Sequence, residues 1–260
     1  MLHLSFRLGV LALAAWAALA QDNLRFGNPG SDGADREEAD RRFFHLCHST
    51  DLKIPLWVAY ELKKEDLDGP APRPSGFRQD TGLVHPGARD KDYTGEDYAR
   101  GHMAPAEDFD RSDEAIHMTF LLSNVVPQRQ SVNNGRWKQL EVAVRKLAKQ
   151  GRVYVITGPI FARATVDTIG DDEVGIPTHT FKVVLAIDGD GKKTMYAAIM
   201  PNTETVSKPM NAYATTVKEV ERRSGLDFFT ALDDSERRKL EVKKESFPAP
   251  ATKSKPKGHP

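Results

Sequence analysis

A histidine behind a glycine, and an asparagine and a glutamate eight residues apart, are the parts of this sequence best suited to chemistry. The histidine lies in Arg100-Gly101-His102-Met103-Ala104-Pro105. The partner segment follows with Ser123-Asn124, Pro127-Gln128, Asn133, Trp137 and Glu141. A histidine in a tight Gly-containing turn can be held as a fixed general base, with a rate that rises through the histidine range, near ~6.5 if unperturbed. An amide and a carboxylate on one helix can hold a hard metal ion and its waters. Together these groups suit phosphodiester hydrolysis, which needs a base for water and a cation for the charge that develops.

Each residue also has a plainer reading. Taken singly, His102 is a structural histidine, Asn133 a helix N-cap, Glu141 half of a buried ion pair and each arginine half of a surface one. Their company argues for chemistry. Arg100 precedes His102 by two residues and Arg73 lies in the preceding loop, and arginines suit bidentate phosphate contacts. The eight histidines are scattered, with no HExxH and no Cys/His cluster, which speaks against zinc. Oxygen donors without cysteine favour Mg²⁺ or Mn²⁺. A single neutral amide leaves most of the coordination sphere to water and substrate phosphate, as suits magnesium.

The elements that must position these residues can be read from periodicity. A helix over residues 133–150 puts Trp137, Leu140, Val144 and Leu147 on one apolar stripe, with Lys138, Gln139, Lys146 and Lys149 opposite. At about 100° per residue, Asn133 and Glu141 fall about 40° either side of Trp137. Strands are expected at 54–62, 118–122, 153–157, 180–187 and 194–200, with Asp188-Gly189-Asp190-Gly191 turning between the last two. A helix is expected at 211–223, closed by Gly225. Residues 69–97 form a long loop with four prolines, of a length that usually carries function. Strands and helices mix without regular βαβ alternation, which favours α+β over a doubly wound sheet. No internal repeat is seen.

Bulk composition sets limits. The 260 residues are 39% hydrophobic and 28% charged, with 37 basic and 37 acidic side chains, so no basic coat exists and any polyanion site must be local. Residues 1–20 read as a cleavable secretory leader. Arg7 precedes an apolar run to Ala20, and Ala18-Leu19-Ala20 fits the cleavage rule. That reading implies a secreted or periplasmic protein without stable membrane association, since the run is short for a bilayer. Residues 21–49 are a polar lead-in, with 21–40 loose; 50–242 are the folded domain; 243–260, rich in Lys and Pro, are a disordered tail. The single Cys47 cannot form an internal disulfide and reads as a packed small hydrophobe.

The spaced motifs resemble the DNA/RNA non-specific endonucleases (endonuclease G-like, ββα-metal or His-Me finger nucleases). Arg100-Gly101-His102 is similar to the family's core, and Asn124 through Glu141 to its metal-binding helix. Tyr154-Val155-Ile156-Thr157-Gly158-Pro159 and Pro177-Thr178-His179-x-Phe181-Lys182 are similar to further segments. The resemblance covers roughly residues 50–225. It implies a mixed central β-sheet flanked by helices, with a ββα-metal active site. By motif position, His102 would activate water, Asn133 would bind Mg²⁺ directly and Glu141 would hold a water of the ion's shell. Arg145 and Arg73 would contact phosphate, with Arg78 the alternative to Arg73, and Asn124 would support the site. Arg100 completes the catalytic set. One departure is Ala99, where the family commonly has aspartate. The resemblance implies a Mg²⁺-dependent endonuclease that cuts DNA and RNA and leaves 5′ phosphates; with the leader the expectation is a secreted enzyme, for which a homodimer is allowed. Two rivals stand beside it: a catalytically impaired nucleic-acid-binding relative, and a phosphodiesterase acting on a substrate other than nucleic acid.

Overall fold

Alternation along four long strands builds a sheet that is apolar on both faces. The computed structural model describes residues 22–30, 32–162 and 165–249; the expected leader at 1–20 lies outside them. The strands are β1 (Arg36–Asp40), β2 (His45–Ser49), β3 (Pro55–Lys63), β4 (Tyr98–His102), β5 (Val125–Arg129), β6 (Gly151–Ile160), β7 (Thr168–Ile169), β8 (Val174–Gly175), β9 (His179–Asp188), β10 (Lys193–Pro201) and β11 (Ala214–Thr215). Seven of them form the main sheet in the order β1-β2-β3-β6-β9-β10-β11, with neighbouring strands antiparallel. Successive side chains point to opposite faces. Val58, Tyr60, Val153, Val155 and Val184 therefore join one core, while Trp57, Ala59, Tyr154, Ile156, Val183 and Leu185 join another.

A sheet buried on both faces needs a layer on each side. The α-helices among the described residues are α1 (Asp113–Thr119), α2 (Lys138–Ala148), α3 (Val217–Ser224) and α4 (Asp234–Glu241). Helix α2 lays Leu140, Ala143, Val144 and Leu147 on the first core, as its period requires. Val217 and Val220 of α3, with Phe228, Phe229 and Leu232, close the second. The α+β class stands. Cys47 is fully buried in the second core, and burial raises its thiol pKa to about 11.

Four expectations change. The lead-in at 21–49 is not merely polar chain, because β1 and β2 extend the main sheet. Residues 118–122 are not a strand. Ser112 Oγ accepts from the Ala115 N–H at 3.2 Å and starts α1 there, so the apolar run ends that helix and the strand begins at Val125. The helix expected at 211–223 begins only at Val217, because Thr216 caps it, accepting from the Glu219 N–H at 3.1 Å. Ala214 and Thr215 instead pair with β10, and Gly225 closes the helix at φ 74° as expected. The packed chain also runs past Lys243. Phe247 is 2% exposed, and Asn211 both donates to its carbonyl (2.9 Å) and accepts from its N–H (3.0 Å).

Phe247 thus pins residues 243–249 to the first core beside Tyr196. Phe247→Ala should cost roughly 3 kcal/mol, in the range for a buried Phe, and truncation after Lys243 should lower Tm markedly. Urea denaturation of both variants checks this. A midpoint equal to wild type would show that the segment contributes nothing.

Candidate active site

Strands β4 and β5 pair antiparallel, with His102 opposite Val125 and Gly101 opposite Val126, and the chain then enters the helical segment 132–148. This is a ββα unit. Gly101 is required by close approach: a Cβ there would meet Gln128 Cβ at 2.7 Å. Asn124 clamps the turn that follows His102. Its Oδ1 accepts from Ala104 N–H, and its Nδ2 donates to the carbonyls of Ala104 and Thr119, all at 2.9 Å. The Met103 N–H donates to the Asn124 carbonyl at 2.9 Å. With its amide fully engaged and its side chain buried, Asn124 supports the site and offers no atom to a ligand.

The turn opens on a cleft of about 410 Å³ lined by Arg73, Phe77, Arg100, His102, Asn133 and Glu141. His102 is 7% exposed, its ring held between Phe77 and Phe120 with centroids 5.0 Å away on each side. Its Nε2 is sealed from solvent without a hydrogen-bond partner, which leaves Nδ1 as the ring nitrogen that reaches the cleft. Burial, reinforced by the charge of Arg73, lowers the His102 pKa to about 3. The unperturbed value near ~6.5 therefore does not apply to this ring.

The helix over 133–150 is not one continuous helix. Residues Val132–Trp137 form a π turn in which Gly135 leaves helical geometry (φ −101°, ψ −110°), and the regular α-helix starts at Lys138. The 100° wheel therefore holds from Trp137 to Glu141 but not back to Asn133. Both residues still reach the same cleft. The plainer readings fail on geometry. Asn133 caps nothing, since Ser131 stands at the N-cap position, and its amide makes no hydrogen bond among the described residues. Glu141 has neither a hydrogen bond nor an ion pair among them, and burial raises its carboxyl pKa.

The arginines divide. Arg100 lines the cleft, its Nε donating to Asp90 Oδ1 at 2.6 Å and its guanidinium carbon 5.9 Å from the Phe77 ring centre and 5.2 Å from that of Tyr93. Arg73 lines it too, 3.3 Å from Glu107 and over the Phe120 ring. Arg78 instead bonds through its backbone to Phe120 and Leu122, so Arg73 is the loop arginine at the cleft. Arg145 turns away and donates to the fully buried Asp108 at 2.8 Å. Ala99 also lines the cleft.

A buried charge layer behind Glu141 was not anticipated. Asp108 accepts from Arg145 and from Tyr60 Oη (2.9 Å), and Lys182 lies fully buried over the Trp137 ring. Only Lys182 left a trace in the sequence, as a lysine inside an apolar strand run.

No three His, Cys, Asp or Glu side chains gather into a metal cage among the described residues. The donors present are the uncommitted amide of Asn133 and carboxylate of Glu141, oxygen ligands that fit a hard divalent cation holding much of its water.

A ββα unit with a buried histidine facing an amide and a carboxylate defines a His-Me finger type of nuclease site. The chain belongs to the DNA/RNA non-specific endonuclease family, whose profile matches residues 20–235. Family members depend on a metal ion. The chain is 35% identical to the mitochondrial nuclease EXOG of Danio rerio over 80% of this chain and 64% of that protein. It therefore spans less than two thirds of that relative's length. It is 32% identical to human mitochondrial endonuclease G over 78% of this chain and 72% of that one. It is 33% identical to nuclease C1 of Cunninghamella echinulata var. echinulata over 82% and 89%. The crystal structure of the EndoG/EndoGI complex superposes with a TM-score of 0.77 at 29% identity, covering 85% of this chain and 96% of that one. These relatives overturn the expected secreted or periplasmic location. EXOG and endonuclease G are mitochondrial, which points to mitochondria rather than secretion.

A histidine with so depressed a pKa stays neutral on both sides of pH 6.5. In metal-free protein the His102 ring resonances should not move between pH 8 and pH 5 in a ¹H–¹³C titration. A midpoint near 6.5 would show a solvated ring and remove the desolvation argument.

Proposed function

We propose that the protein is a Mg²⁺-dependent, sugar-non-specific endonuclease that hydrolyses the phosphodiester bonds of single- and double-stranded DNA and RNA and leaves 5′ phosphates. One observation carries the reading: a buried, neutral histidine shares a cleft with an asparagine amide and a glutamate carboxylate that have no hydrogen-bond or ion-pair partner among the described residues. Family membership and the relatives named as nucleases support it.

The chain's own groups divide the work. Arg73 and Arg100 line the cleft, with Arg100 oriented by Asp90, and would receive the phosphate oxygens there. His102 keeps its proton on the sealed Nε2, so the lone pair of Nδ1 takes a proton from water as that water attacks phosphorus in line. Phe77 and Phe120 fix the ring plane, so the nitrogen meets the water without a search over rotamers. Asn133 would hold Mg²⁺, which would supply positive charge against the charge that builds on the phosphorane and on the leaving 3′ oxygen. Glu141 would accept a hydrogen bond from a water of that ion's shell and orient it.

Cleavage of plasmid and of RNA with Mg²⁺ and with EDTA tests the activity. Cleavage that persists in EDTA removes the metal, and none under either condition favours the impaired relative with Ala99. Equal turnover of a small bis-phosphate ester would favour the other phosphodiesterase. His102→Ala should lower turnover by at least ~10²-fold with substrate binding little changed. Asn133→Ala should nearly abolish cleavage without the ~1 kcal/mol loss a helix cap would show. Glu141→Gln should be milder and partly rescued by raised Mg²⁺. Rate curves against Mg²⁺ that coincide for wild type, Asn133→Ala and Glu141→Gln would remove this segment as the metal side of the site.

A further inference from the structure

Lys182 is the one fully buried lysine among the described residues. A lysine inside an apolar strand loses most of its hydration, and such residues are rarely shut away without a role. Strand β9 points Lys182 to the face it shares with Tyr60 and Val184, between the sheet and helix α2. There its Nζ donates to the carbonyl of Met103 at 3.4 Å and lies 4.8 Å from the centre of the Trp137 ring. Among the described residues no carboxylate pairs with it directly. The ammonium thus touches two parts of the site from behind. Met103 follows His102 in the chain, and Trp137 stands at the junction between the π turn carrying Asn133 and the helix carrying Glu141. Trp137 Nε1 in turn faces the His102 carbonyl at 3.4 Å. The Met103 contact is long, so the charge on Lys182 is what gives it strength, and the same charge faces the Trp137 ring.

We propose that Lys182 is a positioning residue: its buried ammonium holds the His102 turn and the Asn133–Glu141 segment at a fixed separation across the cleft. The inference rests on the nuclease reading and adds to it a residue that touches neither substrate nor cation. A plain charge effect predicts the opposite result for metal binding. Removing a positive charge beside a cation site should tighten cation binding, whereas losing a tether should loosen it.

The test uses the full chain with Lys182→Met, which keeps the length of the stem without the charge, and Lys182→Arg, which restores charge and donors. Mn²⁺ binding is read by electron paramagnetic resonance of the free ion, and kcat and KM are measured on plasmid. With Lys182→Met, Mn²⁺ binding should weaken and kcat should fall, each by about 10-fold or more, the scale seen when a residue behind a metal ligand is removed. KM for DNA should stay unchanged, and Lys182→Arg should recover part of both losses. A folded Lys182→Met that binds Mn²⁺ as tightly as wild type, or tighter, and turns over normally overturns the proposal. If neither variant folds, wild type labelled with ¹⁵N-lysine decides. The slowly exchanging Lys182 Nζ resonance should shift on Mg²⁺ addition in step with activation, and a resonance that stays still overturns the tether. Wild type that binds no Mn²⁺ overturns the nuclease reading itself, and this inference with it.

Discussion

The charges shut between the sheet and helix α2 are the constraint around which the site is arranged. Asp108 and Lys182 are fully buried, Glu141 is nearly so, and Arg145 is mostly covered. Burying isolated charges is prohibitively costly, so each needs compensation. Asp108 has it in full, from Arg145 on one oxygen and Tyr60 on the other. Lys182 has a weaker set, one carbonyl and the rings of Trp137 and Tyr60. Glu141 has none that touches it among the described residues. The layer is graded, from satisfied at the back to unsatisfied at the cleft, and the unsatisfied end is where a ligand would gain most.

That gradient needs a rigid frame, and Asn124 supplies one side of it. Its three hydrogen bonds tie the turn after His102 to the end of helix α1. The other side is set by Gly135, which breaks the helical path before α2 begins. A continuous helix would send the Asn133 side chain to a place fixed by the period of α2. The break frees it to reach the cleft that Glu141 also lines. Backbone irregularity here is local, and the regular helix behind it stays packed on the core.

Much of this was legible from residues. The alternation of β-branched and aromatic residues located β3, β6, β9 and β10, and the spacing of His102, Asn133 and Glu141 drew attention to the three groups that meet in the cleft. The misses have physical causes. Periodicity does not register a single glycine's torsions, so the break at Gly135 was invisible. Thr216 and Ser112 fix helix starts by capping, a local hydrogen bond that competes with the apolar pattern and won in both places. Arg145 lies one turn from Glu141, but only the fold brings Asp108 within its reach, and the same holds for Tyr60 and Lys182. Those partners are far apart in the chain and meet because the sheet places β9 beside β6 and β6 beside β3.

On the proposed nuclease reading, a chain with no net charge that acts on a polyanion follows from the same economy of charge. Both arginines at the cleft are already partnered, Arg100 by Asp90 and Arg73 by Glu107. Such pairs orient the guanidinium groups while cancelling much of their long-range pull. A phosphate entering the cleft must compete with a carboxylate for each arginine, so attraction is felt only at contact distance. With 37 basic against 37 acidic residues overall, little else holds the polymer by charge alone. On that reading binding energy would be concentrated at the scissile group, beside His102 and the uncommitted donors, and a cleaved strand would be held by no net positive charge.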